Sequence, residues 1–117
     1  MPITDKDISL LIDMYIHSKN IVEFVKNVNF YEFERNNMLR AATERNLEII
    51  GIAAKKISSE TQILFSQIPW KDIIGLRNIL AHDYGEIKIE KVWITAQKYI
   101  PELIHELKKI DDLENYT

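Results

Sequence analysis

Arg77, Asn78, His82, Asp83 and Tyr84 crowd around the end of an otherwise apolar run, Gly75-Leu76-Arg77-Asn78-Ile79-Leu80-Ala81-His82-Asp83-Tyr84. An arginine supplies a planar, permanently charged fork suited to phosphate oxygens, and a histidine titrates near neutrality, so this mixture can hold an anion and move a proton. On a regular helix, however, Arg77 and His82 point about 140° apart and are not partners within one chain. Either the helix ends before His82 or a second subunit completes the site. Arg77 and Tyr84 would share a face if the helix persisted. The competing reading makes Arg77 a surface or capping arginine and His82 a helix-terminal histidine favoured by the macrodipole.

Other chemistries find less support. Isolated glycines cannot build a phosphate loop or a dinucleotide fingerprint. With no cysteine, there is no disulfide framework, thiolate metal site or thiol nucleophile. His17, His82 and His105 are scattered, and the best metal candidate is the pair Asp13 and His17 at helical spacing; no metal and no cofactor is expected. His105, beside Glu106, reads as a solvated or satisfied histidine.

The elements that must position this run are helical. Three Gly and three Pro among 117 residues are too few for the turns of an all-β fold, and 46% hydrophobic with 28% charged residues is ordinary globular composition. Thr4 reads as the N-cap of a first helix over 5–27, with Asp7 at the capping-box position. Ile8, Leu11, Ile12, Tyr15, Val22 and Val25 keep to one face, and Met14 and Ile21 widen it. After a break at Asn27-Val28-Asn29, a second helix is predicted over 31–57, with Gly51, Ala53 and Ala54 forming a small-residue patch open to close approach. Ser58 to Gln62 end it, and 63–68 reads as irregular. Pro69 starts a short third helix, with Gly85 a plausible cap, and a last helix from Lys88 is kinked or restarted at Pro101.

Together these predict an all-α, up-and-down bundle of four to five helices in one domain over 1–117. The surplus apolar edge suggests a dimer, although a broad buried stripe has the same pattern. No signal peptide or membrane span is visible, so a cytoplasmic protein with no membrane partner is expected. The net charge of −3 excludes a global basic footprint and confines any nucleic-acid contact to a local patch.

The stretch Ile68-Pro69-Trp70-Lys71-Asp72-Ile73-Ile74-Gly75 leading into Leu76–Tyr84 resembles the HepT family of HEPN-domain proteins, the toxin half of prokaryotic toxin–antitoxin modules. Its hallmark is Arg-x-x-x-x-His-x-Tyr, and Arg77, His82 and Tyr84 stand at those places with Asn78 as the polar residue after the arginine. The similarity extends to Glu44-Arg45-Asn46-Leu47-Glu48-Ile49-Ile50-Gly51, to Val92-Trp93 and to Pro101. Ile52 stands where an acid is expected, and Tyr84-Gly85-Glu86 lacks an aromatic after the tyrosine; both departures lie outside the hallmark positions.

The resemblance implies a metal-independent endoribonuclease that forms a homodimer, so that two Arg-x-x-x-x-His motifs meet across a two-fold axis. Arg77 and His82 would be catalytic, with Asn78 and Asp83 in support and RNA as substrate. It also implies an antitoxin partner of the MNT nucleotidyltransferase type, which transfers AMP to Tyr84 and so blocks the site. A different class stays open, a non-catalytic helical subunit that binds the nucleotidyltransferase and needs neither Arg77 nor His82.

Overall fold

The computed structural model describes residues 3–80, 88–110 and 113. The protein is an all-α bundle, with no strand among the described residues. Its elements are α1 (Asp5–Val25), α2 (Phe30–Arg35), α3 (Asn37–Lys56), α4 (Ser59–Leu64), α5 (Trp70–Ile74), α6 (Leu76–Leu80), α7 (Ile89–Ile94), a π-helical turn (Thr95–Tyr99) and α8 (Ile100–Leu107). The long α1 packs chiefly on α3 and α8, while α5 and α6 lie against α3.

Helix α1 begins where its chemistry dictates. Thr4 is the extended N-cap, and its hydroxyl accepts the Asp7 N–H at 3.1 Å. The Asp7 side chain does not close a capping box. It turns inward, 2% exposed, and accepts from the Ser58 N–H (3.2 Å), the Ser58 hydroxyl (2.5 Å) and the Thr61 hydroxyl (2.6 Å). The start of α1 is thereby pinned to the start of α4, for which Ser58 is itself the N-cap. Burial pushes the Asp7 carboxyl up, but the hydrogen bonds from Ser58 and Thr61, with the charge of Lys6, outweigh it and leave the group below the ordinary aspartate value.

Leu11, Met14, Tyr15, Ile21 and Val25 carry the buried stripe of α1. Met14 and Ile21 are fully enclosed within the chain, so these two residues belong to a broad core stripe. Each such side chain contributes about 1.5–3 kcal/mol on burial. Ser18 sits in the same stripe, and its hydroxyl has no hydrogen-bond partner among the described residues. The first helix ends at Val25, before the expected 27, because Asn27 adopts a left-handed conformation (φ 59°).

The predicted helix over 31–57 is two helices. Asn36 leaves helical geometry (φ −105°, ψ 95°) and its side chain accepts the Leu39 N–H at 3.0 Å, capping α3 anew. The polar run after Ile57 starts α4, which runs on to Leu64, so the irregular segment is 65–68 and begins two residues later than expected. Gly51 answers the expectation of a close approach: a Cβ there would stand 3.2 Å from the Ile73 carbonyl oxygen and 3.8 Å from the Leu76 Cβ. The last turn of α5 and the start of α6 therefore lie directly on α3. Trp70, buried, ties down the start of α5 by donating its indole N–H to the Phe65 carbonyl at 3.1 Å.

Pro101 is accommodated without a break. The Ile100 N–H reaches back to the Thr95 carbonyl, a five-residue closure that widens the turn just before the proline, which then falls in the first turn of α8. Residues 89–107 thus run as one rod with a π-helical turn inside it. Against that rod, Phe33 and Phe30 of α2 hold Trp93 of α7 at ring-centroid distances of 5.0 and 6.0 Å.

Candidate functional site

Helix α6 sorts its residues by face. Leu76 is buried, Ile79 and Leu80 pack partly buried on the core, and Arg77 and Asn78 point outward and are exposed. This is the spacing an amphipathic turn imposes, with apolar residues at i, i+3 and i+4 against α3 and the two polar residues between them turned away. The Asn78 N–H donates to the Gly75 carbonyl at 2.9 Å, closing the joint between α5 and α6. The other three residues of the sequence-derived site, His82, Asp83 and Tyr84, lie outside the described residues, as does the expected cap Gly85.

The arginines separate by what they touch. Arg35 donates to the Tyr31 carbonyl and to Glu34 and stacks on the Tyr31 ring, 3.6 Å from its centroid. Arg40 donates to the Glu34 carbonyl and to Asn37, linking α2 to α3, and Arg45 pairs with Glu48 on the next turn at 2.5 Å. Arg77 has no hydrogen bond or ion pair with any described residue, and its guanidinium is exposed.

Beside it runs a groove of about 1030 Å³, with α5 and α6 on one side and the π-helical turn and α8 on the other. Asn78 and Ile79 line it from the first side, Tyr99, Glu102 and His105 from the second. Tyr99 is 51% exposed, with Lys98 Nζ 5.5 Å from its ring centroid. The apolar pattern of the last helix groups Tyr99 with Val92, Trp93 and Ala96, but Val92 and Ala96 are buried and Tyr99 is turned out of the core. His105 is exposed, in keeping with a solvated histidine.

His17 does not pair with Asp13. Its Nδ1 lies 2.7 Å from the Asn46 Oδ1, an oxygen that also receives the Asn20 amide at 3.3 Å, while the Asn46 amide donates to the Ala42 carbonyl at 2.8 Å. Because the Asn46 oxygen can only accept, His17 Nδ1 carries the proton of that bond. The pair proposed as a metal candidate is instead one end of a bridge between α1 and α3. No group of three or more His, Asp or Glu residues is placed to hold a metal ion among the described residues.

A helical bundle of this kind, with an exposed arginine at the head of the His82 run, is matched by a family model described as "Ribonuclease HepT-like" over residues 14–110. The chain belongs to the HepT-like ribonuclease family. Among its relatives, "Putative RNase MJ1380" of Methanocaldococcus jannaschii is 35% identical over 100 residues, covering 86% of this chain and 92% of the relative. "Putative RNase TTE0752" of Caldanaerobacter subterraneus is 39% identical over 90 residues, covering 77% and 80%. "Probable ribonuclease HepT" of Thermococcus cleftensis is 32% identical over 90 residues, covering 77% and 82%. No solved structure matches the chain. The protein is a ribonuclease of the HepT type, and no helix among the described residues is long and apolar enough to cross a membrane.

Proposed function

We propose that the whole chain, 1–117, acts as one cytoplasmic HEPN-like unit, the toxin of a toxin–antitoxin module that cleaves RNA without a metal ion. Two copies face their Arg77 and His82 across a two-fold axis. The ribose 2′-oxygen attacks the adjacent phosphorus, the bond from phosphorus to the 5′-oxygen breaks, and a 2′,3′-cyclic phosphate is left. One His82 takes the 2′-hydroxyl proton and the other gives a proton to the leaving 5′-oxygen. Arg77 neutralises charge on the non-bridging oxygens, with Asn78 and Asp83 orienting the imidazole and tuning local charge.

The partner is a nucleotidyltransferase antitoxin of the MNT type. It transfers AMP from ATP to the Tyr84 hydroxyl with loss of pyrophosphate, setting a phosphate beside Arg77 where it competes with RNA by charge and by volume.

The observation that carries this reading is Arg77. Arg35, Arg40 and Arg45 are each engaged by a nearby acceptor, and Arg77 alone of the four has none among the described residues. The test is induction of wild type beside His82→Ala in cells, with total RNA mapped for new ends. Growth arrest with new cyclic-phosphate ends in wild type only is the expected result. Arrest that ignores His82, in a protein shown to be folded, moves the assignment to a non-catalytic helical subunit of the nucleotidyltransferase. Loss of arrest on coexpression of the antitoxin, with Tyr84 carrying added AMP by mass, is the expected result for the partner; unmodified Tyr84 in a neutralised cell overturns that part.

A further inference from the structure

The groove beside α6 has a composition of its own. Its walls are apolar at Ile79, Leu103 and Pro101, its exposed aromatic is Tyr99, its carboxylates are Asp72 on α5 and Glu102 on α8, and Lys71 of α5 adds a cation. Glu106 also reaches it, but that carboxylate is held by Lys109 at 2.9 Å. A volume of about 1030 Å³ exceeds what one base fills and suits a short stretch of chain.

We propose that this groove binds unpaired bases of the RNA next to the cleaved phosphate, with Tyr99 as the stacking platform and Asp72 and Glu102 selecting bases that carry an amino group. The choice of substrate class rests on the ribonuclease reading above; the groove chemistry stands apart from it. Asn78 belongs both to the Arg77 turn and to the groove wall, so a strand held at Arg77 continues naturally into it. Lys71 offers the phosphate backbone a cation at the rim, while the carboxylates repel phosphates and leave their own places to base edges. On the base edge they accept from the amino group of cytosine or adenine and from the guanine edge, but oppose the carbonyl that uracil presents in the same place. Stacking on an exposed tyrosine is tolerant of sequence, and Lys98 beside that ring offers a cation to the phosphate of the stacked nucleotide. A second copy of the chain is the less fitting occupant of this groove, since Asp72 and Glu102 disfavour pressing two such walls together there.

The test uses the intact wild-type chain with fluorescent hexamers of 2′-O-methyl cytidine and 2′-O-methyl uridine, which lack the hydroxyl that the proposed cleavage needs. Binding is read by anisotropy. The cytidine hexamer is expected to bind at least about fivefold tighter than the uridine hexamer. Tyr99→Leu should weaken both by about tenfold, and Tyr99→Phe should restore them, because the ring and not the hydroxyl does the stacking. The double variant Asp72→Asn with Glu102→Gln should abolish the preference for cytidine while leaving Tyr99-dependent binding in place. Equal binding of the two hexamers, or indifference to Tyr99→Leu, overturns the proposal. So does sedimentation showing that Tyr99→Leu converts a dimer to a monomer, which would make the groove a contact between copies. Selective binding by a protein that cleaves no RNA would leave the groove standing and count against the ribonuclease site.

Discussion

Two polar clusters of similar residue types have opposite fates in this molecule. At the junction of α1 and α4, Asp7 is buried and accepts three hydrogen bonds from Ser58 and Thr61, so both of its oxygens are engaged in holding two helix starts together. On the outer face of α6, Arg77 and Asn78 are exposed, and Arg77 is bound to nothing among the described residues. The first cluster is stable because it is satisfied and cannot take a ligand for the same reason. The second adds nothing evident to the fold and keeps its full binding capacity. Burial of a charge is tolerated only with partners, whereas a group retained for substrate must stay unpaired and wet until the substrate arrives.

Substitutions sharpen that contrast. The largest effect belongs to the exposed cluster: Arg77→Ala should lower RNA cleavage by about 100-fold or more, the usual cost of losing a charge-stabilising donor, with an unchanged melting temperature. Arg45→Ala, which removes a surface pair, should alter neither. Equal cleavage by the two variants would erase the distinction drawn between them. Next comes the buried cluster, where Asp7→Ala strands the Ser58 and Thr61 hydroxyls and should cost about 2–4 kcal/mol in urea unfolding, while the folded fraction cleaves normally.

The same carboxyl sets an acid limb. Its folded value lies below its unfolded one, so the folded state binds fewer protons through that window. Its contribution is complete above the ordinary aspartate range and is lost as pH falls through that range to the depressed folded value. Asp7→Ala should therefore flatten the loss of stability in acid; an equally steep limb would show that Asp7 is not its source. The smallest effect is a gain: Ser18→Ala removes an unpaired hydroxyl from the α1 stripe and should stabilise by about 1 kcal/mol in the same unfolding measurement.

What the sequence could disclose follows the range of each interaction. The Thr4 cap was legible because its partner is three residues away, as was the apolar face of α1 because periodicity is local. Asp7 stood at the same cap and was misread, since its partner Ser58 lies 51 residues along the chain. Asn36 could have been read as a cap from its type, but its flanks lack the Gly or Pro that usually marks a break. Gly51 announced a close approach without saying to what, and the answer, the Ile73 carbonyl, depends on tertiary packing. The Arg77 run was visible as a pattern of types. That Arg77 lacks a partner among the described residues while Arg35, Arg40 and Arg45 are engaged depends on where the carbonyls and carboxylates around each of them lie.

The π-helical turn before Pro101 also has a consequence for how this rod can change in length. A turn closed over five residues contains, in effect, one residue more than its α-helical neighbours, and that surplus sets the rotational phase between α7 and α8. Val92, Ala96 and Ile100 recur at intervals of four and all face the core, a spacing that would drift around an evenly wound helix. Removing a single residue from 95–99 would take out that surplus, leave an ordinary α-helical turn, and keep both the Val92 stripe and the Ile100, Leu103 and Leu107 stripe on the core. The rod therefore tolerates the loss of one residue inside this turn better than a loss elsewhere along it, where no surplus absorbs the change.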